Sequence, residues 1–466
     1  MGNRQPALSH APRSTWMLIP LLIVWTSGPA LGQTPLAEVI PTLLGPGMTI
    51  APGPGGTHAQ EFVRLPGQVE LVPGPFGLAG VDTPRGFDFN NKIIEQLPTF
   101  PIGSSSGGFL YAFDPAVGTF VRSTRSFGAS YGERPLTSGR GTLSVGFSVQ
   151  RVTFDRFDGT DLESGDIRFY YLHRDRNAAF PPPLTPERSD VMEATLRLRL
   201  STQTVLTTIT YGFTDRLDIG ATVPQVKATL MADVDKRILR LGTAADPTIH
   251  SFDGLGSSTE RISDGGTASG IGDLRFLAKY NVLRRRGGAV AGGADLRLPT
   301  GDARNLLGSG TVFARLFGMV STGTRTFAPH GNVGVTLASK NFNTSDLIGE
   351  PDDEINYTVG FDWSVVPRVT VSGDMLGRRR LSGSFKNALA DRTLQFVSST
   401  GGPVQSTTVR EFQLVDYADR HLLQSVVGTK IGPWRTMLFV ANLLLPVTDA
   451  GLRNRPSLSI GAEYTF

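Results

Sequence analysis

"SLSIGAEYTF", residues Ser457–Phe466, ends the chain. Leu458, Ile460, Ala462, Tyr464 and Phe466 alternate with Ser457, Ser459, Gly461, Glu463 and Thr465. In a strand the two sets point to opposite faces. A chain terminus is ordinarily frayed and polar, yet this one is patterned for sheet pairing to its last residue. The same period runs back through the sequence. "EATLRLRLS" sets Ala194, Leu196, Leu198 and Leu200 against Glu193, Thr195, Arg197 and Arg199. "DLRFLAKYNV" sets Leu274, Phe276, Ala278, Tyr280 and Val282 against Asp273, Arg275, Lys279 and Asn281. "VAGGADLRL" carries Asp295 and Arg297 on its polar side, and "INYTVGFDWSV" groups Ile355, Tyr357, Val359, Phe361, Trp363 and Val365.

Alternation alone also fits a soluble sandwich, so the connections decide. About twelve strands are predicted, near 142–154, 191–211, 216–231, 270–283, 288–299, 311–321, 326–339, 354–365, 368–380, 419–431, 435–446 and 456–466. Short turns such as "GFTDR" (Gly212–Arg216), "TGTR" (Thr322–Arg325) and "VVPR" (Val365–Arg368) alternate with long connections such as 155–190, 232–269 and 381–418. Short turns at one rim, long loops at the other and an even strand count describe a transmembrane antiparallel up-and-down β-barrel of the outer-membrane type. In a closed cylinder the last strand must pair with the first, which gives Ser457–Phe466 its purpose and places Phe466 in an aromatic girdle.

The bulk composition agrees. The 466 residues include 55 Gly and 31 Pro, only 18% are charged, and none is Cys. Disulfides and thiolate metal sites are therefore excluded. A formal charge of +4 without a basic block argues against a nucleic-acid partner. Residues 1–32 read as a cleaved signal peptide: basic Arg4 and Arg13, the apolar core Trp16–Trp25, then small residues Ala30–Gly32. That core is about half the ~20 residues a spanning helix needs; an N-terminal anchor is the alternative. Residues 33–140 differ from the rest. "PTLLGPGMTIAPGPGG" (Pro41–Gly56) and "LVPGPFG" (Leu71–Gly77) are punctuated against helix and central strand. They predict a Pro/Gly-rich arm or linker with one short hairpin over Phe109–Ser123, either a leader or a plug in the barrel mouth. Residues 141–466 form the barrel.

Sites for chemistry are sparse. "GSSSG" (Gly103–Gly107) matches a hydrolase pattern but lacks the strand-to-helix context that pattern needs. The six histidines have no metal-ligand spacing, and His330 has no assignable Ser partner. No catalytic residue, metal site or cofactor is expected. The remaining candidate is the lumen. The lining set is Glu193, Arg197, Arg199, Asp273, Arg275, Lys279, Asp295, Arg297, Asp362 and Asp374, which either line a polar conduit or pair and fill the interior. Leu438 and Val440 in "TMLFVANLLL", with Phe313, Phe317 and Met319 beside Arg315, add apolar patches. These suit a hydrophobic solute or an inward-packed arm.

With these segments in view, the chain resembles the transporter-like family of outer-membrane barrels named for the meta-pathway of phenol degradation. The matching stretches include "TYGFTDRLDIGATVP" (Thr210–Pro224), "GIGDLRFLAKYNVL" (Gly270–Leu283), "AGGADLRLPTGDARNLLGSG" (Ala291–Gly310) and "SIGAEYTF", within residues 190 to 466. Gln33 to about Gly141 lies outside the match. The resemblance implies an outer-membrane channel or transporter for small hydrophobic or aromatic compounds. The alternatives are a closed-lumen barrel for structural or surface interactions and, more remotely, an outer-membrane hydrolase. The expected partners are outer-membrane lipids, periplasmic chaperones, the barrel-assembly machinery that reads the terminal strand, and a small hydrophobic solute.

Overall fold

In the computed structural model, twelve antiparallel strands close a ring. They are β1 (Leu143–Phe157), β2 (Val191–Gly212), β3 (Leu217–Leu239), β4 (Leu274–Arg285), β5 (Gly288–Leu298), β6 (Phe313–Thr322), β7 (Phe327–Ala338), β8 (Glu354–Val366), β9 (Val369–Arg380), β10 (His421–Ile431), β11 (Met437–Pro446) and β12 (Ser457–Thr465). Each pairs with its sequence neighbour, and β12 pairs with both β11 and β1. The structure describes residues 34–45, 47–51, 61–64, 71–74, 77–80, 85–101, 103, 111–114, 119–122, 127–128, 130–174, 184–285, 287–324, 326–339, 352–381, 385–416, 421–434 and 436–466. The signal-peptide reading and Ser104–Gly107 of the hydrolase-like pattern lie outside these residues.

The outer face carries the large apolar residues the alternation assigned to it, among them Phe276, Leu296, Leu316, Val333, Val359, Leu443 and Ile460. Exposed aromatics gather toward the short-turn rim: Tyr211, Tyr280, Phe327, Trp363, Trp434, Tyr464 and Phe466. Phe466 lies 4.7 Å from Tyr464, ring to ring, and its backbone N–H donates to the Leu143 carbonyl at 2.8 Å. The last residue is thus held by the first strand.

Strands β2 and β3 run 22 and 23 residues, far beyond the ~9–11 that cross a bilayer. Their far halves leave the ring and build an extension at the long-loop end. Strand Thr259–Ile271 pairs with upper β3, and strand Ile167–Arg174 with upper β2. Glu61–Arg64 and Gly47–Thr49 add in turn to Ile167–Arg174.

Two helices fill the extension, α1 (Leu36–Leu44) and α2 (Arg85–Gln96). The helix α1 corrects the expectation that Pro41 forbids one. An interior Pro costs ~3 kcal/mol. However, Leu36, Val39, Ile40, Leu43 and Leu44 are all buried, and each such side chain contributes about 1.5–3 kcal/mol, so burial wins. On α2, Phe89, Ile93 and Ile94 face the same core, and Asn90 Nδ2 donates to the Ala37 carbonyl at 2.8 Å. The core continues into Ala194, Leu196, Leu198 and Leu200 of β2 and Phe154 and Phe157 of β1. The hairpin expected within Phe109–Ser123 is present as Tyr111–Asp114 paired with Thr119–Arg122, but Leu71–Gly74 pairs with Gly77–Gly80 in a second hairpin, correcting the expectation of one.

Phe89 sits edge-on to Phe157 at 5.1 Å and to Phe412 at 5.4 Å, fully buried. Phe89→Ala is expected to destabilise the extension by about 3–5 kcal/mol. Limited proteolysis should then cleave the arm sooner while the strands of the ring stay resistant; an unchanged arm cleavage rate would contradict this packing.

Candidate functional site

The lumen is occupied by the chain's own arm. After α2, the arm enters the barrel through Leu97–Pro101, where Pro98 O accepts from Arg297 at 3.1 Å and Pro101 O from Gln150 Nε2 at 3.5 Å. From Phe127 to Ser138 it lies against the short-turn half of the wall. Phe127 N–H donates to Thr370 Oγ1 (3.1 Å), and Ser130 and Ser372 hydroxyls pair at 3.1 Å. The Tyr131 and Gly132 N–H groups both reach Asp374 (3.3 and 3.4 Å). Asn332 donates to Glu133 O (2.9 Å) and Asn281 to Pro135 O (2.8 Å). Ser138 N–H donates to both oxygens of Asp218 (3.1 and 2.9 Å). Irregular backbone is tolerated at such depth only when protein or water satisfies its polar groups. Here inward side chains spaced two apart along the strands supply the partners.

Charges tie the same segment. Arg134 lies 3.6 Å from Asp362, and both are buried. His330 bridges Asp374 through Nε2 (2.7 Å) and Asp362 through Nδ1 (3.5 Å). A side chain at Gly360 would collide with this His330–Asp374 contact, so the bare backbone there is required. Lys279 stands 3.6 Å from Asp218. Buried pairs of this kind contribute little net stability but are costly to break from one side.

The lining residues expected from sequence divide into two groups. Asp273, Arg275, Lys279, Asp295, Arg297, Asp362 and Asp374 all point inward. Arg275 pairs with Asp295, and Asp273 holds the β5–β6 loop through Gly301 N–H (3.1 Å) and Ser309 N–H and Oγ (2.9 and 2.6 Å). Leu438 and Val440 also face inward, but Phe127 of the arm packs on them. Tyr131 likewise covers Val426 and Leu444.

Glu193, Arg197 and Arg199 are corrected: they lie outside the lumen. Ala194, Leu196, Leu198 and Leu200 take the inner face of upper β2, against the helices. Glu193 instead accepts from Tyr170 Oη at 2.7 Å, Arg197 pairs with Asp235, and Arg199 with Asp233 at 3.3 Å. Beyond the bilayer, water lies outside and a packed core inside, so polar residues turn outward.

A lumen cavity of about 150 Å³ lies between the arm and the barrel wall. Its walls include Phe100, Tyr131 and Glu133 of the arm and Arg275, Asp295, Arg297, Phe313, Arg315, Tyr357 and Arg378 of the barrel. Phe317 lies over Gly293 and Gly334, where a Cβ would strike its ring or its own Cβ. Arg315 in turn stacks on Phe317, 4.4 Å from the ring centre. Sequence reasoning noted Arg315 only beside an apolar patch and left out Asp218, Asn281 and Asn332. Asp218 stands directly across from Lys279 and Arg315 across from Asp295, and Asn281 lies two residues from Lys279, whereas Asn332 faces Met319 and Thr358.

No protein-family model matches this chain, and no curated protein matches it. Among solved structures, the chain is similar to an outer-membrane channel from Pseudomonas putida F1, with 14% identity over 70% of this chain and 96% of that one, TM-score 0.41. It is also similar to the CymD monoaromatic hydrocarbon channel, with 9% identity over 70% and 88% of the two chains, TM-score 0.32. A Pseudomonas aeruginosa FadL homologue matches with 9% identity over 77% and 94%, TM-score 0.30.

Proposed function

We propose that the protein is an outer-membrane channel for small solutes, aromatic ones among them, held closed here by its own N-terminal arm. The observation that carries this reading is the contrast between faces. The ring is apolar outside, while its interior is charged, hydrogen-bonded and still holds a cavity. Some of these charges hold the arm, while Arg297 and Arg315 face the cavity, where a solute path would use them. The occluding element is an irregular segment held mostly by hydrogen bonds, which water can replace one by one. In this setting lipid covers the belt, and periplasmic chaperones and the assembly machinery handle the chain before β12 closes the ring.

A closed-lumen barrel that meets partners through its surface is the second reading. The arm across the lumen and the solid core of the extension favour it. Reconstitution into liposomes separates the two. Aromatic and aliphatic solutes are presented, and entry is followed against protein-free vesicles. Faster entry of at least the small aromatic solutes is the expected result. Rates equal to empty vesicles for every solute would leave the scaffold reading.

A further inference from the structure

Guanidinium groups crowd the lumen cavity. Four guanidinium groups border it, from Arg275, Arg297, Arg315 and Arg378, against three carboxylates, from Asp295, Glu133 and Glu354. Asp295 pairs with Arg275, and Glu354 lies 3.7 Å from Arg378. Arg297 donates to a carbonyl, Pro98 O, and the buried Nε of Arg315 has no acceptor. The sheet register makes this deliberate in geometry: Arg275 stands directly across from Arg297, and Asp295 directly across from Arg315. Like charges facing each other across a ladder repel. Asp273 in the adjoining space adds a fourth carboxylate near Arg297, with its oxygens hydrogen-bonded to Gly301 and Ser309.

The acceptor-less Nε of Arg315, beside an Arg297 that donates to a carbonyl, leaves guanidinium donors facing the cavity that a carboxylate can fill. The neighbouring walls are aromatic: Phe313 under Arg297, 5.6 Å from its guanidinium, with Phe100 and Tyr357 also on the cavity. A cavity of about 150 Å³ is the size that accepts a single benzene ring. We propose that this cavity is a binding site for a small aromatic monocarboxylate. Its ring lies against Phe313, and its carboxylate accepts from Arg315 and Arg297. Guanidinium forks suit a carboxylate better than a neutral hydroxyl. The inference rests on the channel reading and names the class of solute that the lumen holds.

The test uses the full-length protein in detergent and measures equilibrium binding of benzoate, benzyl alcohol and acetate. Benzoate has ring and charge; each of the others has one of the two. Native protein is expected to prefer benzoate over both by about tenfold or more, the worth of a hydrogen bond to a charged group. Arg315→Gln should remove the preference for benzoate over benzyl alcohol. Unaltered heat-modifiable gel migration of that variant shows that the barrel is intact. Arg297→Gln provides a second, independent reading of the same loss. Equal binding of benzoate and benzyl alcohol by native protein, or a preference that survives both substitutions, overturns the site. Selective binding without entry into liposomes would remove the channel and leave the site standing.

Discussion

Removal of Ser457–Phe466 is expected to abolish the folded barrel. Strand β12 joins β11 to β1 through registers running from Met437↔Tyr464 to Leu444↔Ser457 on one side and Thr465↔Ser144 to Ser459↔Gln150 on the other. Without it, two edges of unpaired N–H and C=O groups face hydrocarbon. Each unsatisfied group there costs several kcal/mol, so a partial ring has no stable state in a bilayer. The loss of one strand therefore removes the whole structure, unlike the loss of a surface strand in a soluble sheet. The truncated chain should show the same gel mobility before and after boiling, whereas the full chain should migrate differently when unheated. A truncated chain that keeps heat-modifiable migration would mean that β11 and β1 can close without it.

The second large effect concerns conduction. Replacing residues 127–138 by a Gly/Ser linker of equal length leaves α1, α2 and all twelve strands in place. It removes Phe127 from Leu438, Tyr131 from Val426 and Leu444, and Arg134 from Asp362. Water can then enter and solvate Asp362, Asp374 and Asp218, so their lost partners cost far less than they would in a dry interior. In planar bilayers the replaced chain should show frequent discrete conductance steps, while the native chain stays closed or opens rarely. Matching, silent traces from both would place the barrier elsewhere in the lumen.

How far the sequence could be read is clear from particular residues. All twelve strands are legible because period two, short turns and long loops are local properties. Val365–Arg368 turns as expected, and Leu316 and Val320 face out while Phe317 and Met319 face in. Glu193, Arg197 and Arg199 show where the reading stops. Their alternation on β2 is correct, but which side is wet depends on where the bilayer ends and what fills the tube. Neither is written in the strand itself. The α1 helix was hidden for a related reason, because it packs on strands more than a hundred positions away, Leu217–Leu239 and Thr259–Ile271.

The sequence by itself determined the cylinder, since an apolar–polar alternation with a closing terminal strand allows few other ways to satisfy backbone groups in lipid. Only the tertiary structure decided what the cylinder contains. The arm's hold on Asp218, Asp374, Asn281 and Asn332, and the crowding of Arg275, Arg297 and Arg315 about one aspartate, join positions far apart in the chain. Such partners are fixed by register and closure, and neither a period nor a composition carries that information.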